Sequence, residues 1–296
     1  MELTSLLGLG LALLLAPLLS GIINRVKAMV GGRKGVPLLQ LYIDLGKLLR
    51  KGVVYSRTTT LFFRLSPLVS VAALVVALGL LPLGGWPSLI AFEGDLVLMV
   101  YLLGTVRLLT VLAALDTGSP FQGMGASREV QFAVLAEPAF FLAVLALARA
   151  SGTWELAGVL GGTPLPGVTT ILVAATLTAV LLCENSRIPV DDPNTHLELT
   201  MIHEVMVLDH SGPDLAMILY ASSLKLWLYA AIMVGALLPV STLPPAMVLP
   251  VWLAALFAVA VVVGLVESAM ARLRLLHMPR LLAGAAILSL VAVFWG

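Results

Sequence analysis

Between Cys183 and Ser211 the chain reads CENSRIPVDDPNTHLELTMIHEVMVLDHS, and this is where residues able to do chemistry are concentrated. Glu184, Asp191, Asp192, Glu198, Glu204 and Asp209 fall in or beside it, with Asp214 just beyond, and His196, His203 and His210 recur every seven residues. On one continuous helix those histidines would share a face. Residues seven apart are about 10 Å apart along a helix, too far to ligate one ion. His203-Glu204 also lacks the second histidine of a zinc-protease HExxH. No metal site is expected; carboxylates and imidazoles in this pattern suit proton handling or contact with a partner.

The elements that must position these groups are hydrophobic. Of 296 residues, 60% are hydrophobic and 11% charged, with a mean hydropathy of +1.07, against roughly 25% charged in soluble domains. The fold class is therefore an all-α integral membrane protein forming a single transmembrane domain over 1–296. Eight runs approach the ~20 residues that span a bilayer: Leu3–Ile23, Leu65–Leu83, Asp95–Leu115, Val130–Arg149, Val168–Cys183, Leu215–Leu238, Ala246–Val266 and Leu281–Trp295. The first is read as a spanning helix and not a cleaved signal, because its first basic residue, Arg25, lies on the far side. A single cysteine, Cys183, excludes an internal disulfide and a Cys-ligated cluster within the chain.

Charge then sets orientation. Fourteen of the 17 Lys and Arg fall in connections on one side of an eight-helix plan. Nine of them, from Arg25 to Arg64, lie between the first two spans; Arg128, Arg187, Arg272, Arg274 and Arg280 make up the rest. The positive-inside rule places that side in the cytoplasm and both termini outside, so 24–64 and 184–214 become cytoplasmic loops carrying short helices. In the first loop Leu38, Leu41, Leu45 and Leu48 recur at helical spacing opposite Gln40, Asp44, Lys47 and Lys51. This is an amphipathic helix that either lies in the interface or packs on a neighbour. In the second loop Asp192-Pro193 reads as a helix start and Ser211-Gly212-Pro213 as its stop, with Leu197, Met201, Val205 and Leu208 as an apolar stripe. Asp116–Glu129 reads as a short loop.

Three ionisable residues fall inside predicted spans: Arg107, Glu137 and Lys225. An ionised group at mid-bilayer costs at least ~2.5–3.5 kcal/mol, so it faces the bundle interior, paired or wetted. Glu137 precedes Pro138, whose missing N–H frees a carbonyl and kinks the helix. Two readings stand: a protonatable relay, or a structural ion pair with Arg107 or Lys225.

The motif CENSRIPVDDPNTHLELTMIHE and the first-loop stretch RVKAMVGGRKGVPLLQLYIDLGKLLRKG resemble the NADH dehydrogenase subunit 1 family of complex I. Within it they look like the hydrogenase branch, the membrane subunit of energy-converting, formate-hydrogenlyase-type [NiFe] hydrogenases. Quinone-reducing members read approximately E-T-N-R-x-P-F-D where this chain has Glu184-Asn185-Ser186-Arg187-Ile188-Pro189-Val190-Asp191, which favours the hydrogenase version; a quinone-site subunit of a respiratory dehydrogenase is the alternative. The resemblance implies a prokaryotic cell-membrane subunit that docks hydrophilic large and small [NiFe] hydrogenase-like subunits and an iron–sulfur subunit, and adjoins antiporter-like membrane subunits. It implies no cofactor on this chain, the Fe–S clusters and the NiFe centre belonging to partners, and no nucleic-acid partner. It implies a proton pathway through Glu137 and Glu184, with Asp191 and Glu198 at an acidic entrance. Glu204 and Asp209 join that pathway, and Arg107 and Lys225 are its buried charge partners. Arg25, Lys27, Arg33, Lys34, Asp44, Lys47 and Arg187 form the expected docking set. A stand-alone transporter would show two related halves, and none is evident.

Overall fold

The computed structural model describes residues 3–161, 167–191, 201–238 and 243–295. Among them eight helices are long and apolar enough to cross a membrane, in agreement with the sequence count. In chain order the helices are α1 (Leu3–Val30), α2 (Gln40–Leu48), α3 (Leu61–Leu80), α4 (Asp95–Asp116), α5 (Pro120–Ser151), α6 (Leu156–Leu160), α7 (Gly167–Glu184), α8 (His203–Val207), α9 (Gly212–Leu237), α10 (Pro245–Ala269) and α11 (Met278–Trp295). A 3₁₀ turn, Leu275–His277, leads into α11. The bundle falls into two groups: α1 packs on α9 and α10, and α3 on α4 and α9, while α11 packs on α5 and α7. Contacts of α4 with α5 and of α7 with α9 join the groups. Without hydrophobic pressure between helices in lipid, close approach depends on small residues. At Gly264 of α10 a Cβ would lie 2.9 Å from the Cβ of Val26, so the glycine is what lets α10 reach α1.

Several boundaries differ from the sequence reading, each for a local reason. The fourth span starts earlier than Val130: Asp116–Glu129 is not a loop, because α5 begins at Pro120 and only Thr117–Ser119 separate it from α4. Gly118, at φ +69°, makes that corner, and Pro120 at the first helical turn gives up an N–H that has no helical partner there. Likewise α3 starts at Leu61, since Thr60 caps Phe62 and is itself held by Asp116 through backbone and hydroxyl bonds of 2.6 and 2.9 Å. Pro138 lies within α5, which continues through it. The amphipathic helix of the first loop is α2; it packs on α1 and α9, and Tyr42 donates to the Leu14 carbonyl at 2.5 Å.

The helix expected from Pro193 to Ser211 is corrected as well. Its described part is the five-residue α8, with Met201 and Ile202 outside it. The Asp191 carboxylate accepts the Ile202 and His203 N–H groups at 3.2 Å, and Arg128 donates to the Met201 carbonyl at 2.9 Å. Those bonds hold the backbone away from a continuous helix and set its start at His203. His210 lies beyond the end of α8, so His203 and His210 do not share one helix; Asp192, His196, Leu197 and Glu198 lie outside the described residues.

Candidate functional site

Glu184 is the last residue of α7, and the segment from it to Asp191 ties that helix to its neighbours. Its carboxylate meets Arg107 of α4 and, at 2.9 Å, Lys225 of α9. The same Arg107 guanidinium pairs with Glu137 of α5 and reaches Glu129, earlier on that helix, at 3.5 Å. A planar fork with five donors can serve three carboxylates at once; an ammonium could not do so in fixed geometry. Two cations therefore face three carboxylates, leaving one surplus negative charge when all are ionised.

Exposure is graded across this cluster. The Glu184 side chain is 3% exposed, Arg107 9% and Lys225 14%, whereas Glu137 is 50% exposed near the middle of α5. The sequence leaves Glu137 with Arg107 or Lys225 as a partner; the structure gives it Arg107, and gives Lys225 to Glu184.

A second node lies on the other side of the motif. Arg187 reaches Glu267 of α10 and the Ser20 hydroxyl of α1, both at 3.4 Å, and Lys27 of α1 meets Glu267 at 2.7 Å. The Glu267 side chain is fully enclosed. Arg187 and Lys27, read from sequence as docking residues, thus turn toward Glu267. Asp191 bonds Arg272 at 2.6 Å, and the Leu273 N–H donates to the Pro189 carbonyl at 3.0 Å, so the chain leaving α10 is sewn to the motif.

Sequence reasoning misses Glu267 because the predicted span stops at Val266, which places the carboxylate in a loop. The signal that could have found it is its helical spacing from the apolar run of α10. Glu129 escapes for a similar reason, since it falls in a stretch that reads as loop and is helix.

Between α3, α4, α8 and α9 lies a chamber of about 60 Å³. Its wall includes Ser70, Glu129, Glu184, His203, His210 and Lys225. Burial holds the imidazoles of His203 and His210 below the ordinary histidine range. Glu129 and Asp191 pull the first back up while Lys225 opposes them; Asp214 and Asp209 pull the second. The His210 ring stacks on Phe63 at 3.9 Å and 5°.

The remaining sequence candidates scatter. Glu204 lies on α8 and Asp209 is exposed after it. Arg33, Lys34 and Lys47 are exposed, Arg25 donates to the Lys34 carbonyl at 2.5 Å, and Asp44 lies 3.7 Å from Lys47 and accepts from Gln40 at 2.9 Å. Among the described residues no group of three His, Cys, Asp or Glu could hold a metal ion.

The chain matches the sequence model of the family described as NADH dehydrogenase over residues 3–296. It is 34% identical over 231 residues to hydrogenase-4 component C of Escherichia coli (strain K12), covering 77% of this chain and 72% of that protein. It is 30% identical over 276 residues to formate hydrogenlyase subunit 4 of the same organism, covering 90% and 89%. Among solved structures, a chain of the membrane-bound sulfane sulfur reductase, an archaeal respiratory membrane complex, superposes with a TM-score of 0.85 at 22% identity, covering 99% of this chain and 98% of that one. That likeness shows the fold.

Proposed function

We propose the following function for a chain that belongs to the NADH dehydrogenase family: it is the membrane subunit that couples electron transfer in a hydrogenase-type complex to ion movement across the bilayer. That it is a multi-pass membrane subunit of a complex I-like, hydrogenase or respiratory assembly follows from its family, its relatives and its eight spans. The finer reading rests on one observation. Arg107 gathers Glu129, Glu137 and Glu184 where α4, α5 and α7 meet, with Lys225 as the second cation, one carboxylate in excess of the cations. A sealed structural pair needs no surplus charge, whereas a site that takes up and releases a proton alternates between that surplus and neutrality.

In this reading the Glu184–Asp191 segment transmits events at a docked soluble module into the cluster, since its three charged residues reach four spanning helices and the chain after α10. Large and small [NiFe] hydrogenase-like subunits and an iron–sulfur subunit dock on the basic side. They carry the metal centres, and antiporter-like membrane subunits adjoin the bundle. The basic side is cytoplasmic in a prokaryotic cell membrane, with both termini outside. Arg25, Arg33, Lys34, Asp44 and Lys47 remain available for docking.

The test is to isolate the chain in mild detergent, identify what accompanies it by mass spectrometry, and measure ion uptake into vesicles during turnover. Hydrogenase-like subunits with uptake support the reading, and charge reversal at Arg33, Lys34 and Lys47 together should detach the soluble subunits. A complex that works only with added quinone supports the alternative of a quinone-site subunit. A chain isolated without redox subunits contradicts both.

A further inference from the structure

The two described histidines of the central stretch are unexplained by the ion cluster alone, yet both line the chamber beside it. His203 and His210 share that wall with Glu129, Glu184 and Lys225. The chamber is large enough to admit water. Its polar atoms call for them. Nδ1 of His210, a residue 5% exposed, and the Ser70 hydroxyl are buried with no hydrogen-bond partner among the described residues. Buried polar groups left without partners are costly, and ordered water is their usual relief.

We infer that His203 and His210, with the water the chamber holds, form a proton relay feeding the Glu129–Arg107–Glu184 cluster, so that the ion moved is the proton. This rests on the coupling role proposed above and names its cargo and its route.

Each step balances simply. A neutral imidazole takes one proton from chamber water and becomes a cation, then gives one proton to the next water or carboxylate and returns to neutral; only N–H and O–H bonds form and break. His210 offers the unpartnered Nδ1 for uptake, and its stacking on Phe63 fixes the ring plane. The charged groups acting on His203 are Glu129, Asp191 and Lys225, two of them members of the cluster, whereas those acting on His210 are Asp214 and Asp209. Burial keeps both rings neutral near pH 7, the form that can accept a proton. Lys225, the nearby cation, keeps a proton from resting on His203.

The experiment uses the complex assembled with this chain, in vesicles, with three variants beside wild type: His203→Gln and His210→Gln combined, His210→Ala, and Glu184→Gln. Proton uptake per electron transferred is measured in H₂O and D₂O, with and without imidazole. The double Gln variant should lose on the order of 100-fold in proton uptake, the scale of a lost positioned acid–base group. Imidazole should restore the His210→Ala variant, in which the vacated space admits it. Wild-type uptake in the assembled double variant, while Glu184→Gln still stops uptake, overturns the relay alone. Uptake that imidazole fails to restore assigns His210 to packing and overturns it too. Uptake that continues in Glu184→Gln removes the ion cluster's role and the relay with it. Copurification of the partner subunits decides which preparations count as assembled.

Discussion

Two charge clusters flank the Glu184–Asp191 segment and are built in opposite ways. At Arg107, three carboxylates face two cations, exposure runs from 3% at Glu184 to 50% at Glu137, and a chamber adjoins them. At Glu267, one carboxylate faces two cations, Lys27 and Arg187, and is wholly enclosed between α1 and α10. A buried carboxylate held by two cations and sealed from water ties helices together and leaves no route for an ion. Three carboxylates that share two cations beside a chamber are arranged as the proposed ion path requires. The same residue types thus make a fastener in one place and the proposed ion site in the other. The difference lies in charge count and access, not in the carboxylate.

That contrast gives the fastener the largest effect on stability. Glu267→Gln leaves the partly buried Lys27 and Arg187 without their counter-charge, and the expected loss approaches the ~3–5 kcal/mol of a broken buried pair, read as a lower thermal midpoint of the purified chain. A change of less than about 1 kcal/mol would show that α1 and α10 do not depend on it. Arg107→Ala should cost a similar ~3–5 kcal/mol by leaving carboxylates unpaired, but here the surplus predicts partial rescue. Adding Glu137→Gln removes one of the uncompensated charges, so the double variant should regain part of the loss. If it is no more stable than Arg107→Ala, Glu137 is not part of the cluster's balance.

Acid gives a smaller and reversible effect. The folded-state values of His203 and His210 lie below the unfolded value of about 6.5. The unfolded chain therefore binds more protons in the window between them, and stability rises with pH there. Their contribution is present above about 6.5 and is lost as pH falls toward the depressed folded values. Thermal midpoints should drop on acidification below that point, and the drop should shrink when both histidines are Gln. An unchanged acid slope would place both imidazoles in contact with bulk water.

The sequence made the eight spans legible because hydropathy is a property of single segments. The helix α2 could be read that way as well. What the sequence left open belongs to pairs. Glu137 had two possible cations, and the packing of α4 against α5 and of α7 against α9 assigns Arg107 to Glu129, Glu137 and Glu184, and Lys225 to Glu184. Apolar helices in lipid carry little pattern to say which faces meet, so neither Glu267 nor its reach to Lys27 could be read. Glu129 was hidden by composition: Gly118, Gly123 and Gly125 look like loop residues. Gly125 is instead a contact point, since a side chain there would collide with Val205 of α8.

The most direct measurement compares Glu184→Gln with Glu267→Gln in vesicles, as protons taken up per electron transferred, normalised to assembled complex. The account predicts that Glu184→Gln loses this ratio while Glu267→Gln keeps it, with the second variant the less stable of the two. A wild-type ratio in Glu184→Gln, or an equal loss in both variants, would contradict the division between an ion-coupling site and a fastener.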